Sequence, residues 1–234
     1  MSTHMSLRSG GLNYRTTATL VGVLYIIGTA AGILSVVPTG GNGPAGPNYV
    51  ADAAAKGNGL AGGALLILVM GLALALIPVV TYPVLTSVSP RLAAGYLVFR
   101  GAVETTTYMI LVVSWLSLAE LGREYASQGA DADGLAAAGS AIARVGEITF
   151  SSVTPVVFLA GAAIFYSALW RARLVPRWLS GWGLVAILPY LAQAMLVFFG
   201  KGQSTEAMLM APLALQEMVL AVWLIVRGFR ELAR

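Results

Sequence analysis

Apolar residues run along this chain in six blocks, each about as long as a bilayer-crossing helix, with charge gathered between them. Such a helix takes about 20 mostly apolar residues. The blocks cover residues 16–37, 60–88, 92–118, 145–170, 178–200 and 207–226. The first ends in Pro38-Thr39-Gly40-Gly41-Asn42-Gly43-Pro44-Ala45-Gly46-Pro47, whose Pro and Gly density opposes regular structure. Pro78 and Pro83 in the second block and Pro155 in the fourth each remove a backbone donor. Helix two is therefore expected to kink or loosen. The polar stretch 120–144 reads as an outer loop whose Ala-rich second half, 135–144, forms a helix leading into the fourth span. The predicted fold class is all-α: a polytopic membrane protein, a bundle of six transmembrane helices over residues 16–228. Residues 1–15 and 229–234 are its tails.

Composition supports this reading and excludes its rivals. The 234 residues are 58% apolar and 10% charged, against about 45–50% and 25% in a soluble domain. Disordered chains are polar and charge-rich, so disorder is excluded too. The tails and even-numbered loops hold Arg8, Arg15, Arg91, Arg171, Arg173, Arg177, Arg227, Arg230 and Arg234. The odd-numbered loops hold only Lys56, Arg123, Arg144 and Lys201. By the positive-inside rule both termini are cytoplasmic, in a multi-pass protein of the cell (plasma) membrane. Asp52, Glu120, Glu124, Asp131, Asp133 and Glu206 then face outward. Trp170 and Trp178 inside and Trp115 outside are expected to anchor the interfaces. Cations placed at span ends in this way mark topology, so nucleic acid is not an expected partner.

Placing those charges leaves Arg100, Glu104, Glu147 and Glu217 within the spans. A charge at mid-bilayer costs roughly 2.5–3.5 kcal/mol on insertion scales, so such groups pair, face inward and mark sites. At 1.5 Å per residue, Glu104 lies roughly 20 Å from Arg91, Glu217 roughly 15 Å from Arg227, and Gln193 roughly 22 Å from Trp178. Three helices thus bring polar groups to a similar depth. Arg100 and Glu104 are four apart and share a helix face, which Tyr108 continues. Gln216 adjoins Glu217, and Tyr190 precedes Gln193 by three residues. Glu147, roughly 36 Å from Arg171, belongs at the outer interface. One arginine cannot neutralise both Glu104 and Glu217, so the second carboxyl must be protonated, hydrated or paired with a ligand.

Other chemistries find little support. There is no cysteine, and the one histidine, His4, lies in the N-terminal tail. That removes thiolate, Cys-ligated and buried-histidine metal sites. No metal site and no cofactor is expected. Asp131 and Asp133, with Glu120 and Glu124, read as a solvated turn rather than a cation site. The glycines near Gly40 precede no Lys-Ser/Thr pair and form no phosphate loop. No lysine falls within a span, which argues against an internal Schiff base.

Three runs carry a family resemblance. They are Phe99-Arg100-Gly101-Ala102-Val103-Glu104, the connection from Trp170 to Gly183, and the stretch from Leu215 to Phe229. In these the chain resembles a bacterial membrane family designated domain of unknown function 4386, across roughly residues 16–230. The resemblance implies a six-helix bacterial membrane protein and brings no activity with it. It places Arg100, Glu104 and Glu217 inside recurring motifs.

From the residues themselves, the expected function is binding of a lipophilic small molecule in a mid-membrane cavity. Glu104 or Glu217 would be a catalytic proton donor, with Arg100 tuning it or holding an anionic head group. Phe99, Tyr108, Phe158, Tyr190, Gln193 and Gln216 would contact the substrate, ring faces steadying a cationic centre. An acid-initiated isoprenoid or lipid cyclase or isomerase fits this set. One alternative is a proton-coupled carrier, which with six helices and no evident inverted repeat would work as a homo-oligomer. The other is a structural or regulatory membrane subunit with an Arg–Glu clasp. Membrane lipid is a partner in every case.

Overall fold

The computed structural model describes residues 14–40, 48–128, 132–201 and 206–231. His4, Arg8, Asp131, Arg234 and most of the Gly/Pro connection lie outside those residues. Six helical spans are long and apolar enough to cross a membrane: Tyr14–Thr39, Gly59–Val88, Pro90–Ser127, Asp133–Ala172, Arg177–Phe198 and Met208–Val226. Among the described residues there is no strand.

Helix α1 (Tyr14–Leu34) gives way to a 3₁₀ turn at Val37–Thr39, placed by Pro38 and closed by Gly40 at φ +81°. The short α2 (Tyr49–Lys56) follows, then α3 (Gly59–Val88). α3 stays helical through Pro78 and Pro83, where the sequence predicts a kink or a loosening. Two threonines satisfy carbonyls there. Thr81 Oγ1 donates to Ile77 O at 2.8 Å, and Thr86 Oγ1 to Tyr82 O at 3.0 Å. Ser89 then caps α4 (Pro90–Tyr96), its hydroxyl accepting from the Leu92 amide, with Pro90 preset for a helix start.

Helices α5 (Glu104–Gln128), α6 (Ala132–Ile148) and α7 (Thr154–Ala172) complete the third and fourth spans. A π-helical segment, Leu97–Val103, joins α4 to α5, and another, Thr149–Val153, joins α6 to α7. The third span has 38 residues and the fourth 40. At 1.5 Å per residue they reach about 57 and 60 Å, roughly twice a hydrocarbon core. The helix expected over 135–144 is present within α6, and residues 120–128, expected as loop, continue α5, so the two form a hairpin extending both spans. Polar composition suggested a loop over 120–128, but a helix standing in water needs no apolar block. Glu120 and Arg123 pair along one turn of it.

Helix α2 docks on this hairpin through Val50 and Ala53, both buried. Glycine permits the contact. A Cβ at Gly122 would stand 2.7 Å from the Ala54 backbone nitrogen, and one at Gly139 would collide with Val50. Asp52 and Lys56 pair at 2.7 Å on the same helix.

Helices α8 (Arg177–Phe198) and α9 (Glu206–Val226) close the bundle. Neighbour contacts run α1–α3–α5, then through α4 and the first π segment to α7, on to α8 and α9, and back to α1. Six spans therefore form a closed ring. Its half nearer the termini is solid, filled by Val21, Leu85, Tyr96, Phe165, Tyr166, Leu179 and Leu224. Tyr96 and Phe165 stack there at 4.7 Å with 8° between planes. Arg230 ties the tail to this end, its amide donating to Leu174 O at 2.8 Å.

Candidate functional site

The other half of the ring is hollow. All six spans line a cavity of about 440 Å³, within the range of small-molecule sites. Its wall is mostly apolar, including Met70, Leu74, Phe150, Phe158 and Leu213, and Arg100 and Glu217 lie where it meets the packed half.

Arg100 is carried by the first π segment, where the Glu104 amide bonds back five residues to Phe99 O. Such wide turns are rare and recur at functional sites. The guanidinium Nη1 donates to both Glu104 carboxylate oxygens, at 2.8 and 3.0 Å. Tyr108 OH adds a third bond to Glu104 Oε1 at 2.7 Å. Two rings enclose the cation, Phe158 with its centroid 4.8 Å from Cζ and Tyr25 at 5.8 Å. Arg100 Nε is buried with no hydrogen-bond partner among the described residues.

The two carboxylates are not equivalent. Glu104 is fully buried in its three bonds and does not line the cavity. Glu217 lines it, with 15% of its side chain exposed, and its Oε1 lies 3.8 Å from Arg100 Nη2. That is an ion-pair separation and too long for a hydrogen bond. Arg100 is one positive charge between two carboxylates, and its short contacts all go to Glu104.

Seven of the nine anticipated residues come together: Arg100, Glu104, Tyr108, Phe158, Tyr190, Gln193 and Glu217. Tyr190 stands against Phe158 at 5.7 Å between centroids, and both line the cavity with Gln193. The other two do not join them. Phe99 is 38% exposed on the outer surface and absent from the lining, because adjacent helix positions point about 100° apart. Gln216 is buried behind the wall, where its Nε2 donates to Leu179 O at 3.0 Å and ties α9 to α8.

Sequence reasoning missed Tyr25, Phe150, Ser151 and Thr154, all in the lining. The last three sit on or beside the second π segment, where Thr154 Oγ1 reaches Thr149 O at 2.9 Å. A polar triplet Ser151-Ser152-Thr154 inside an apolar block was the available signal. Trp115, expected at the outer interface, is buried at 8% exposure and lines a second cavity. Glu147 is exposed at that cavity's rim and accepts from Tyr49 OH at 3.3 Å. Partial burial, then the charge of Glu147, pushes the Tyr49 phenol above its ordinary range and keeps it a donor. Among the described residues no three acidic or histidine side chains gather as a metal would require.

Residues 20–228 match the family described as Domain of unknown function (DUF4386). The chain belongs to that family. No curated protein and no solved structure matches it. The DUF4386 match spans all the cavity-lining helices and includes the outer hairpin.

Proposed function

We propose that this DUF4386 protein binds a lipophilic small molecule in the mid-membrane cavity and that Glu217 is the group that meets it. One observation carries the reading. Glu217 faces an apolar cavity, while Arg100, the one cation beside it among the described residues, spends its short hydrogen bonds on Glu104. A carboxyl so placed can transfer a proton to an apolar substrate. Its O–H bond breaks, a C–H bond forms at one alkene carbon, and positive charge appears at the other. Loss of a neighbouring proton back to Glu217 completes an isomerisation. Phe158 and Tyr190 offer ring faces to the cationic centre. Arg100 and Glu104 act as support, holding the charge arrangement in which Glu217 works.

The alternatives fit less well. As a clasp the cluster is weak, because Arg100 reaches Glu217 on the sixth span only at 3.8 Å, without a hydrogen bond, while its short bonds to Glu104 stay within the third span. A carrier needs access to each face in turn, which would require the Tyr96–Phe165 layer to open.

The test is mass spectrometry of lipophilic molecules co-purifying with the wild type and with Glu217→Gln. A species enriched with the wild type and depleted or chemically altered with the variant is the expected result. Identical extracts would refute the reading.

A further inference from the structure

The second cavity, about 320 Å³, is lined by Trp115, Leu118, Ala143 and Glu147 among others. It shares four wall residues with the first: Gly32, Met70, Phe150 and Ser151. These four residues divide the two hollows, and the flexible thioether side chain of Met70 is able to move aside. The level of each end can be read from the fourth span. Gly161 packs on Arg100, where a Cβ would stand 3.4 Å from the Arg100 nitrogen. Glu147 precedes Gly161 by fourteen residues of continuous helix, or roughly 21 Å along the axis.

We infer that the two cavities are one elongated site, and that its ligand is a long-chain amphiphile. Its polar or reacting group lies at Glu217, and its apolar chain passes Met70 and Phe150 to end beside Trp115. This rests on the reading of Glu217 given above and adds the ligand's length and orientation. At about 1.2 Å per bond of extended chain, the site measures roughly 17 bonds, or about 18 carbon atoms. A short ligand fills only the inner cavity. A chain of full length reaches the hollow where Trp115 packs against Gly63.

Ala143 lines the second cavity and not the first. Ala143→Leu and Ala143→Phe should therefore fill the outer hollow step by step while leaving every wall residue of the inner cavity in place.

The experiment uses the full chain in neutral-lipid nanodiscs with primary alcohols of about 8, 12 and 16 carbons, each brominated at the end remote from the hydroxyl. Bromine quenches indole fluorescence at contact. Comparison with Trp115→Phe isolates the signal of Trp115 from that of the other tryptophans. The longest probe should quench Trp115 several-fold more than the shortest, with binding about tenfold weaker in Glu217→Gln. In Ala143→Leu and Ala143→Phe the length dependence should shrink in that order while the shortest probe still binds. Binding that depends on Glu217 but shows the same Trp115 quenching at every length overturns this inference and leaves the proposed function standing. Binding that ignores Glu217 at every length overturns both.

Discussion

Unfolding energetics should separate the residue that supports the site from the residue that serves it. Arg100→Met removes the cation that donates two hydrogen bonds to Glu104, at 2.8 and 3.0 Å, in a wholly buried pocket. The stranded carboxylate keeps only its bond from Tyr108. Breaking a buried pair from one side costs about 3–5 kcal/mol, because the remaining charge is uncompensated. Adding Glu104→Gln removes that charge, keeps an acceptor for Tyr108, and should recover roughly 2 kcal/mol. Glu217→Gln is different in kind. Its carboxylate has no hydrogen bond from Arg100, and the amide matches it in shape. Attraction and desolvation are lost together, so the net change stays within about 1 kcal/mol. The assay is reversible unfolding in mixed micelles, followed by tryptophan fluorescence, for all four proteins. An Arg100→Met loss below about 1 kcal/mol would refute the reasoning, as would a Glu217→Gln loss of equal size to Arg100→Met.

Three further outcomes are expected. Gly122→Val forces a side chain against the Ala53–Ala54 backbone, so it should destabilise the docking of α2 by about 1–3 kcal/mol and speed proteolysis at Lys56. Gln216→Leu loses the bond to Leu179 O and should cost about 1–3 kcal/mol in unfolding while leaving the co-purifying molecules unchanged; Gln193→Leu, inside the cavity, should alter them. In an ultraviolet titration Tyr49 should ionise above its ordinary 10.0 and fall back part-way in Glu147→Gln, since burial remains after the carboxylate is gone. A pKa raised on folding means that the contribution of Tyr49 to stability is complete below pH 10.0 and fades as the pH rises through the folded value.

The spans were legible because lipid imposes a length and a polarity that few sequences meet by accident. Arg100, Glu104 and Glu217 were legible for the converse reason, since each breaks that rule at a calculable depth. What escaped lies where the rule is silent. Residues 120–128 are polar whether they coil or stand as a helix in water, and the docking of α2 on Gly122 and Gly139 leaves no mark in composition. The π segments add a residue to a turn without a characteristic sequence, so neither Leu97–Val103 nor Thr149–Val153 could be placed beforehand. Tyr25 escaped because depth arguments start from charges. Phe99 was included for its nearness to Arg100 in sequence, although one helix step carries it to the opposite side of the wall.

The solid half of the bundle makes the protein one-sided. On the function proposed above, the Tyr96–Phe165 layer cuts the ligand off from the end that carries the chain termini. Occupancy would then follow the composition of one monolayer, and a molecule made in the opposite one would have to be flipped before this protein met it.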